Sequence, residues 1–211
     1  MSSAVVFDPG QHRVTDHPPP IVQVVDQSRG TWGIMLFITT EACLFVMLFV
    51  AYFFLVQING YWRIEERPKL HYSLPMLAVL VLSSFVLHWG EQQVKKGLLN
   101  KGRLALGLTI LLGLFFLFLT YLEDTEHLRT LTPRSNSYGS IFYTIVSLHG
   151  LHVCVGLLML SWVFFLRQWE PAQRAPHRPY HNAAMYWHFV DTVWVFVVGI
   201  LYVAPNLYKS L

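Results

Sequence analysis

Five long runs of apolar residues constrain the fold of this chain more than any other feature of its sequence. Each run approaches or exceeds the roughly 20 residues that a helix needs to cross the hydrocarbon core of a bilayer. The runs cover residues 31–58, 73–90, 104–122, 137–166 and 183–207. A segment in lipid must satisfy its own backbone hydrogen bonds, and these runs lack the alternating pattern of a barrel strand. The sequence therefore predicts an all-α integral membrane bundle of five transmembrane helices over residues 31–211.

The composition agrees with this class of fold. Charged residues make up 13% of the chain, whereas a soluble domain carries about 25%. The net charge of +3 is small and the basic residues form no single patch, so nucleic acid is not an expected partner. Cys43 and Cys154 both lie inside apolar runs and form no disulfide framework or CxxC motif.

The segments between the runs predict the orientation of the chain in its membrane. Residues 1–30 form a polar arm that lacks the apolar core of a secretory signal. This arm lies on the same side as segments 95–103 and 167–178, and together these three carry more Lys and Arg than the opposite side. The positive-inside rule then places the N-terminus in the cytoplasm and the C-terminus outside. We expect a multi-pass protein of a bacterial plasma membrane.

Two acidic residues, Glu41 and Asp191, lie inside the predicted spans. An ionised carboxylate at the centre of a bilayer costs about 2.5–3.5 kcal/mol even on insertion scales. Glu41 lies roughly 15 Å along its helix from Gly30, which is near the middle of the hydrocarbon core. One hypothesis makes Glu41 a proton-active, reagent-reactive carboxyl group. The other makes it a structural acid that is hydrogen-bonded to a neighbouring helix, and both remain open.

Histidines add a second set of candidate residues. His149 and His152 share one face of the fourth predicted helix, because they are three residues apart, and His188 and Asp191 share a face of the fifth. A metal site is one interpretation of these residues. We favour an interhelical hydrogen-bond cluster, in which His188 and Asp191 satisfy each other or bridge to the fourth helix. We therefore assign no metal ligand and no catalytic residue to this chain.

Three strings of residues resemble one known family. The string YWHFVDTVW at residues 186–194 resembles YWHFVDVVW, which is usual in the last helix of cytochrome c oxidase subunit III. The string HGLHV at residues 149–153 resembles the same string in that family, and residues 32–41 resemble its WGxxLFxxxE pattern. All three occur in the family's order and on the expected helices.

The resemblance implies a short, five-helix form of subunit III. Such a subunit would carry no haem or copper, since these belong to subunits I and II. It would bind phospholipids, pack on subunit I and support proton uptake while the complex transfers electrons from cytochrome c to O₂. Glu41 would match the family's carbodiimide-reactive acid, and His177 would match a histidine near a lipid headgroup. His181 departs from the family, which commonly has Glu at this position.

Four alternatives stay open from the sequence, and one of them is a membrane metalloenzyme that uses the three histidines. The chain could be subunit III of a quinol oxidase or an accessory subunit of nitric oxide reductase, because the site of the electron donor lies on another subunit. A free-standing transporter would be expected to have interrupted spans or paired repeats. The sequence displays neither of these features.

Overall fold

The computed structural model describes residues 20–58, 70–127, 137–165 and 177–204. These residues fold into helices α1 (Pro20–Ile58), α2 (Leu70–Lys95), α3 (Leu99–His127), α4 (Ser137–Phe165) and α5 (His177–Val197). α5 continues without a break into a π-helical segment, Val198–Val203. Each helix is long and apolar enough to cross a membrane. The described part of the chain therefore confirms the prediction of an all-α membrane protein with five transmembrane helices.

The helices differ from the predicted spans mainly at their ends. α1 begins at Pro20, a residue type that is tolerated in the first turn of a helix, although its apolar span begins at Gly30. The span of α2 runs to Lys95 rather than to residue 90. Glu91 explains this extension, because its carboxylate pairs with Lys95 one turn later, 2.7 Å away. Most of the predicted polar arm and the segment 167–176 lie outside the described residues.

Four of the helices form a closed ring. α2 packs on α3, α3 on α4, α4 on α5, and α5 returns to α2. α1 lies outside this ring, against α4 and α5. Much of its apolar surface, including Leu36, Met47 and Phe54, is therefore exposed on the protein surface.

Trp187 of α5 lies at the centre of the ring. Its side chain is fully buried, and its indole N–H donates to Ser83 Oγ of α2 at 2.9 Å. Gly113 of α3 and Gly156 of α4 pack directly against the ring system, since a Cβ atom at Gly156 would lie 2.9 Å from the indole. Small residues thus let three helices approach the tryptophan closely, as is common between membrane helices.

A tight turn joins α2 to α3. Gly97 adopts a φ of +79°, the left-handed conformation that glycine accepts without strain. The N–H of Leu98 donates to the carbonyl of Gln93 at 2.9 Å, and the N–H of Gly97 donates to the carbonyl of Val94 at 3.0 Å. This pair of bonds is the Schellman motif. It holds the basic ends of α2 and α3 next to each other at one end of the bundle.

Candidate functional site

Glu41 forms a hydrogen bond across the interface between α1 and α4. Its Oε2 atom lies 2.8 Å from His152 Nε2, with 21% of the Glu41 side chain and 9% of the His152 side chain exposed. Phe45, one turn after Glu41, packs edge-on against the imidazole with ring centroids 5.0 Å apart. The carboxyl group of Glu41, which lies within the α1 span, thus has a polar partner in a largely apolar environment.

The other ring nitrogen fixes how many protons this pair holds. His152 Nδ1 lies 2.7 Å from the carbonyl oxygen of Leu148, which can only accept, so Nδ1 must carry a hydrogen. The contact between Nε2 and Glu41 then holds one proton, which belongs either to the carboxyl group or to the imidazole. The pair is electrically neutral overall in both arrangements. Neutrality makes it far less costly in hydrocarbon than a lone carboxylate.

Asp191 and His188 both form a hydrogen bond with Ser84 of α2, and not with α4 as expected. The Ser84 hydroxyl of α2 donates to Asp191 Oδ2, and its Oγ atom lies 2.9 Å from His188 Nδ1. Because the single hydroxyl proton points to Asp191, His188 Nδ1 is the donor in the second bond. The three groups form a short chain, His188 to Ser84 to Asp191, which ties α5 to α2. Ser84 was not a candidate from the sequence, since a lone serine in an apolar span gives no distinctive signal.

His149 occupies a different environment from His152, although both lie on α4. Its ring stacks on Trp194 of α5 at a centroid distance of 4.9 Å and meets Phe116 of α3 edge-on at 6.1 Å. The side chain is fully buried. The three candidate histidines are therefore distributed over separate places: His149 among aromatic rings, His152 with Glu41, and His188 with Ser84.

A further ionic cluster lies near the end of α2. Glu91 Oε1 is 2.9 Å from His181 Nδ1 of α5 and 2.7 Å from Lys95 Nζ. The Glu91 side chain is only 8% exposed, so two partners compensate for its burial. The sequence marked His181 only as a departure from a family pattern. His181 lies seven residues before His188, so both lie on one face of α5. This spacing could have indicated that His181 also faces a neighbouring helix.

Comparisons with known proteins decide the family. The family model described as "Cytochrome c oxidase subunit III" matches residues 22–205. The chain is 34% identical to cytochrome c oxidase subunit 3 of Xenopus laevis over 195 residues, covering 88% of this chain and 72% of the relative. Its identity to the subunit 3 of Synechocystis sp. is 33% over 174 residues, covering 81% of this chain and 74% of that protein. The chain belongs to the cytochrome c oxidase subunit III family.

The three strings that suggested this family come together in space. Glu41 ends the first string and bonds to His152 of the second. Phe37 of the first string stacks on Tyr186 of the third, with ring centroids 5.8 Å apart. The contact between His149 and Trp194 joins the second string to the third. The strings are therefore one packing unit of α1, α4 and α5 in this subunit III family member.

Members of this family are the non-catalytic subunits of haem-copper oxidases. Among the residues that the structure describes, no three His, Cys, Asp or Glu side chains come together in a way that could hold a metal ion. His177 is the first residue of α5, and its side chain lies outside the described part of the structure.

Proposed function

We propose that this chain is the third subunit of a cytochrome c oxidase complex, in which it packs on the haem-bearing subunit I beside the copper-bearing subunit II. It stabilises the catalytic subunit and supports proton uptake from the cytoplasmic side of a bacterial plasma membrane. In this proposal the N-terminal arm lies in the cytoplasm and the C-terminus outside. The observation that carries the proton role is the Glu41–His152 pair, whose shared hydrogen bond holds one proton within two membrane-spanning helices.

The position of α1 supports contact between this pair and another subunit or lipid. Within the described residues, α1 packs on α4 and α5, and much of its remaining apolar surface is exposed and can contact a partner. Glu41 keeps 21% of its side chain exposed at the edge of that interface. A proton at this site is thus accessible from the outer surface of the bundle, whereas the largely buried Asp191 is bonded to Ser84 inside it.

Lipid binding is part of the same proposal. The bundle presents a broad apolar surface, and one apolar groove of about 410 Å³ lies between α4 and α5. Its lining includes Leu158, Trp162 and Asn182. We assign acyl chains of bound phospholipids to such surfaces and a headgroup contact to His177.

The proposal is tested by sustained turnover of the assembled complex. Three bacterial strains would be compared. One expresses the oxidase with this chain, one with the Glu41→Gln variant, and one without the chain. We expect all three to begin with similar oxygen consumption, and the complex without the chain to lose activity soonest, with the variant in between. Identical time courses with and without the chain would refute the supporting role. Reduced cytochrome c and a quinol, supplied in parallel, identify the electron donor.

A further inference from the structure

A second groove lies along α3, beside α4. It has a volume of about 520 Å³, and α3 residues between Asn100 and Leu111 form its floor. Phe164 of α4 forms one wall. Because α3 begins at Leu99, the polar end of this groove lies close to the end of a membrane span. The remaining floor extends about 12 Å along the helix from Arg103 to Leu111 and is almost entirely apolar.

Gly107 gives the groove its depth. A Cβ atom at this position would lie 3.3 Å from Phe164 Cε2, so a larger side chain would occupy the space between the helix and the ring. Leu104 and Leu108 are exposed on either side of it, at 66% and 43%. The result is an apolar groove on the surface of the bundle, and its polarity suits a hydrocarbon chain.

Arg103 lies at the polar end of the groove. Its guanidinium carbon is 5.0 Å from the centre of the Phe164 ring, a cation–π contact that holds the group over the groove. Arg103 forms no ion pair with any carboxylate in the described part of the chain. A guanidinium group has five N–H donors, and its fork geometry suits phosphate oxygens. Asn100 lines the same end.

The groove between α4 and α5 provides a contrast within the same bundle. Its lining is also mostly apolar. Asn182 is the polar residue among the described residues that line it, and none of those residues is Lys or Arg. Of these two grooves, as the described residues line them, the α3 groove is the one with a cation at the end of its apolar floor. The combination matches a ligand that carries a negative headgroup and an acyl chain.

We propose that the α3 groove is a binding site for one anionic phospholipid. The phosphate group contacts the Arg103 guanidinium and the Asn100 amide, and an acyl chain lies against Leu104, Gly107 and Leu108. This proposal deepens the lipid binding proposed above and rests on the chain being inserted in a membrane. The predicted orientation places the site in the cytoplasmic leaflet, where anionic lipids attract basic segments.

Native mass spectrometry of the complex, with the full-length chain, tests this site. The complex would be purified in mild detergent and titrated with palmitoyl-oleoyl-phosphatidylglycerol or with the zwitterionic phosphatidylcholine of the same chains. We expect Arg103→Gln to weaken phosphatidylglycerol binding to one site about tenfold, since a charged hydrogen-bonding partner is lost. Phosphatidylcholine binding should change less than twofold.

Lys101→Gln is the matched control, because Lys101 is an exposed cation two residues away that does not line the groove. It should leave phosphatidylglycerol binding unchanged. An equal loss in both variants would overturn the site in favour of a general effect of positive charge. Leu108→Trp fills the apolar part of the α3 groove without changing its charge. This variant should lower phosphatidylglycerol binding at least fivefold. Unchanged binding in that variant would also overturn the proposal.

Inorganic phosphate distinguishes a lipid site from a simple anion site. Because the acyl chain contributes much of the affinity, millimolar phosphate should not displace phosphatidylglycerol. Displacement would show that the anion alone determines binding and would refute the lipid assignment. The number of lipids bound is counted per copy of this chain, whereas the proposed role in the oxidase is tested by turnover. Either result can therefore fail without the other.

Discussion

His152 Nε2 lies 2.8 Å from Glu41 Oε2 and joins α1 to α4. This hydrogen bond links a side chain of α1, the helix that lies outside the ring, to a side chain of α4 within the ring. It therefore serves two purposes at once. It neutralises a carboxyl group in hydrocarbon, and it fixes the position of a peripheral helix on the bundle.

Replacing Glu41 by Gln should abolish carbodiimide labelling of this chain while leaving the complex assembled. A glutamine amide can donate to His152 Nε2 and so keeps the bond between α1 and α4, but it offers no carboxyl group to the reagent. Peptide mass mapping after labelling provides the measurement. Asp191→Asn is the control, because Asp191 is largely buried, and it should retain labelling at Glu41. Full labelling in the Glu41→Gln variant would show that another residue reacts.

Removing the imidazole should destabilise the bundle. His152→Phe leaves the Glu41 carboxyl without its partner, which costs about 1–3 kcal/mol for a buried polar group. Thermal unfolding of the purified complex, followed through this chain, measures the loss. The double variant Glu41→Leu with His152→Phe should recover much of the stability, since both polar groups are then removed. Strictly additive losses in the double variant would show that the two residues do not interact.

Gly156 should tolerate no side chain. A Cβ atom there would lie 2.9 Å from the Trp187 indole, so Gly156→Ala overpacks the centre of the ring at a cost of about 1–3 kcal/mol. Gly150 lies on the same helix and has nothing within 4 Å of the corresponding position. Gly150→Ala is therefore the matched control, and it should leave the melting temperature unchanged or raise it, because alanine favours the helix. Equal effects of both variants would contradict the packing described here.

His181→Glu should be unfavourable in this chain, although the resemblance to the family makes Glu common at this position. The new carboxylate would face Glu91, whose Oε1 atom lies 2.9 Å from His181 Nδ1. Since the His181 side chain is 40% exposed, the loss should be on the order of 1 kcal/mol. Adding Glu91→Gln should reverse it. A His181→Glu variant that is more stable than the parent chain would contradict this prediction. It would show that a cation compensates for the new carboxylate.

The sequence predicted the helices well because the bilayer acts on composition and length. The apolar runs had to be helical, and residues such as Glu41 and Asp191 were conspicuous because charges are rare in hydrocarbon. The partners of these residues were not predictable in the same way. Asp191 and His188 were expected to bond to each other or to α4, but both contact Ser84 of α2.

The reason is that helical periodicity defines the face of a residue but not the helix opposite that face. The order of helices around the ring, with α5 returning to α2, depends on the packing of residues such as Trp187 between Gly113 and Gly156. A single sequence does not show which helices pack against each other. His181 illustrates the same limit, since its contact with Glu91 of α2 cannot be predicted from its position on α5.

The most direct test of the proposed role is the reduced-minus-oxidised absorption spectrum of the material that co-purifies with this chain. The chain would carry an affinity tag and be isolated in mild detergent from cells grown with oxygen. We expect haem bands in the purified fraction, together with copper and two partner subunits, and we expect the bands to be absent when the chain carries no tag. A stable, correctly folded chain that purifies without haem or copper would contradict it.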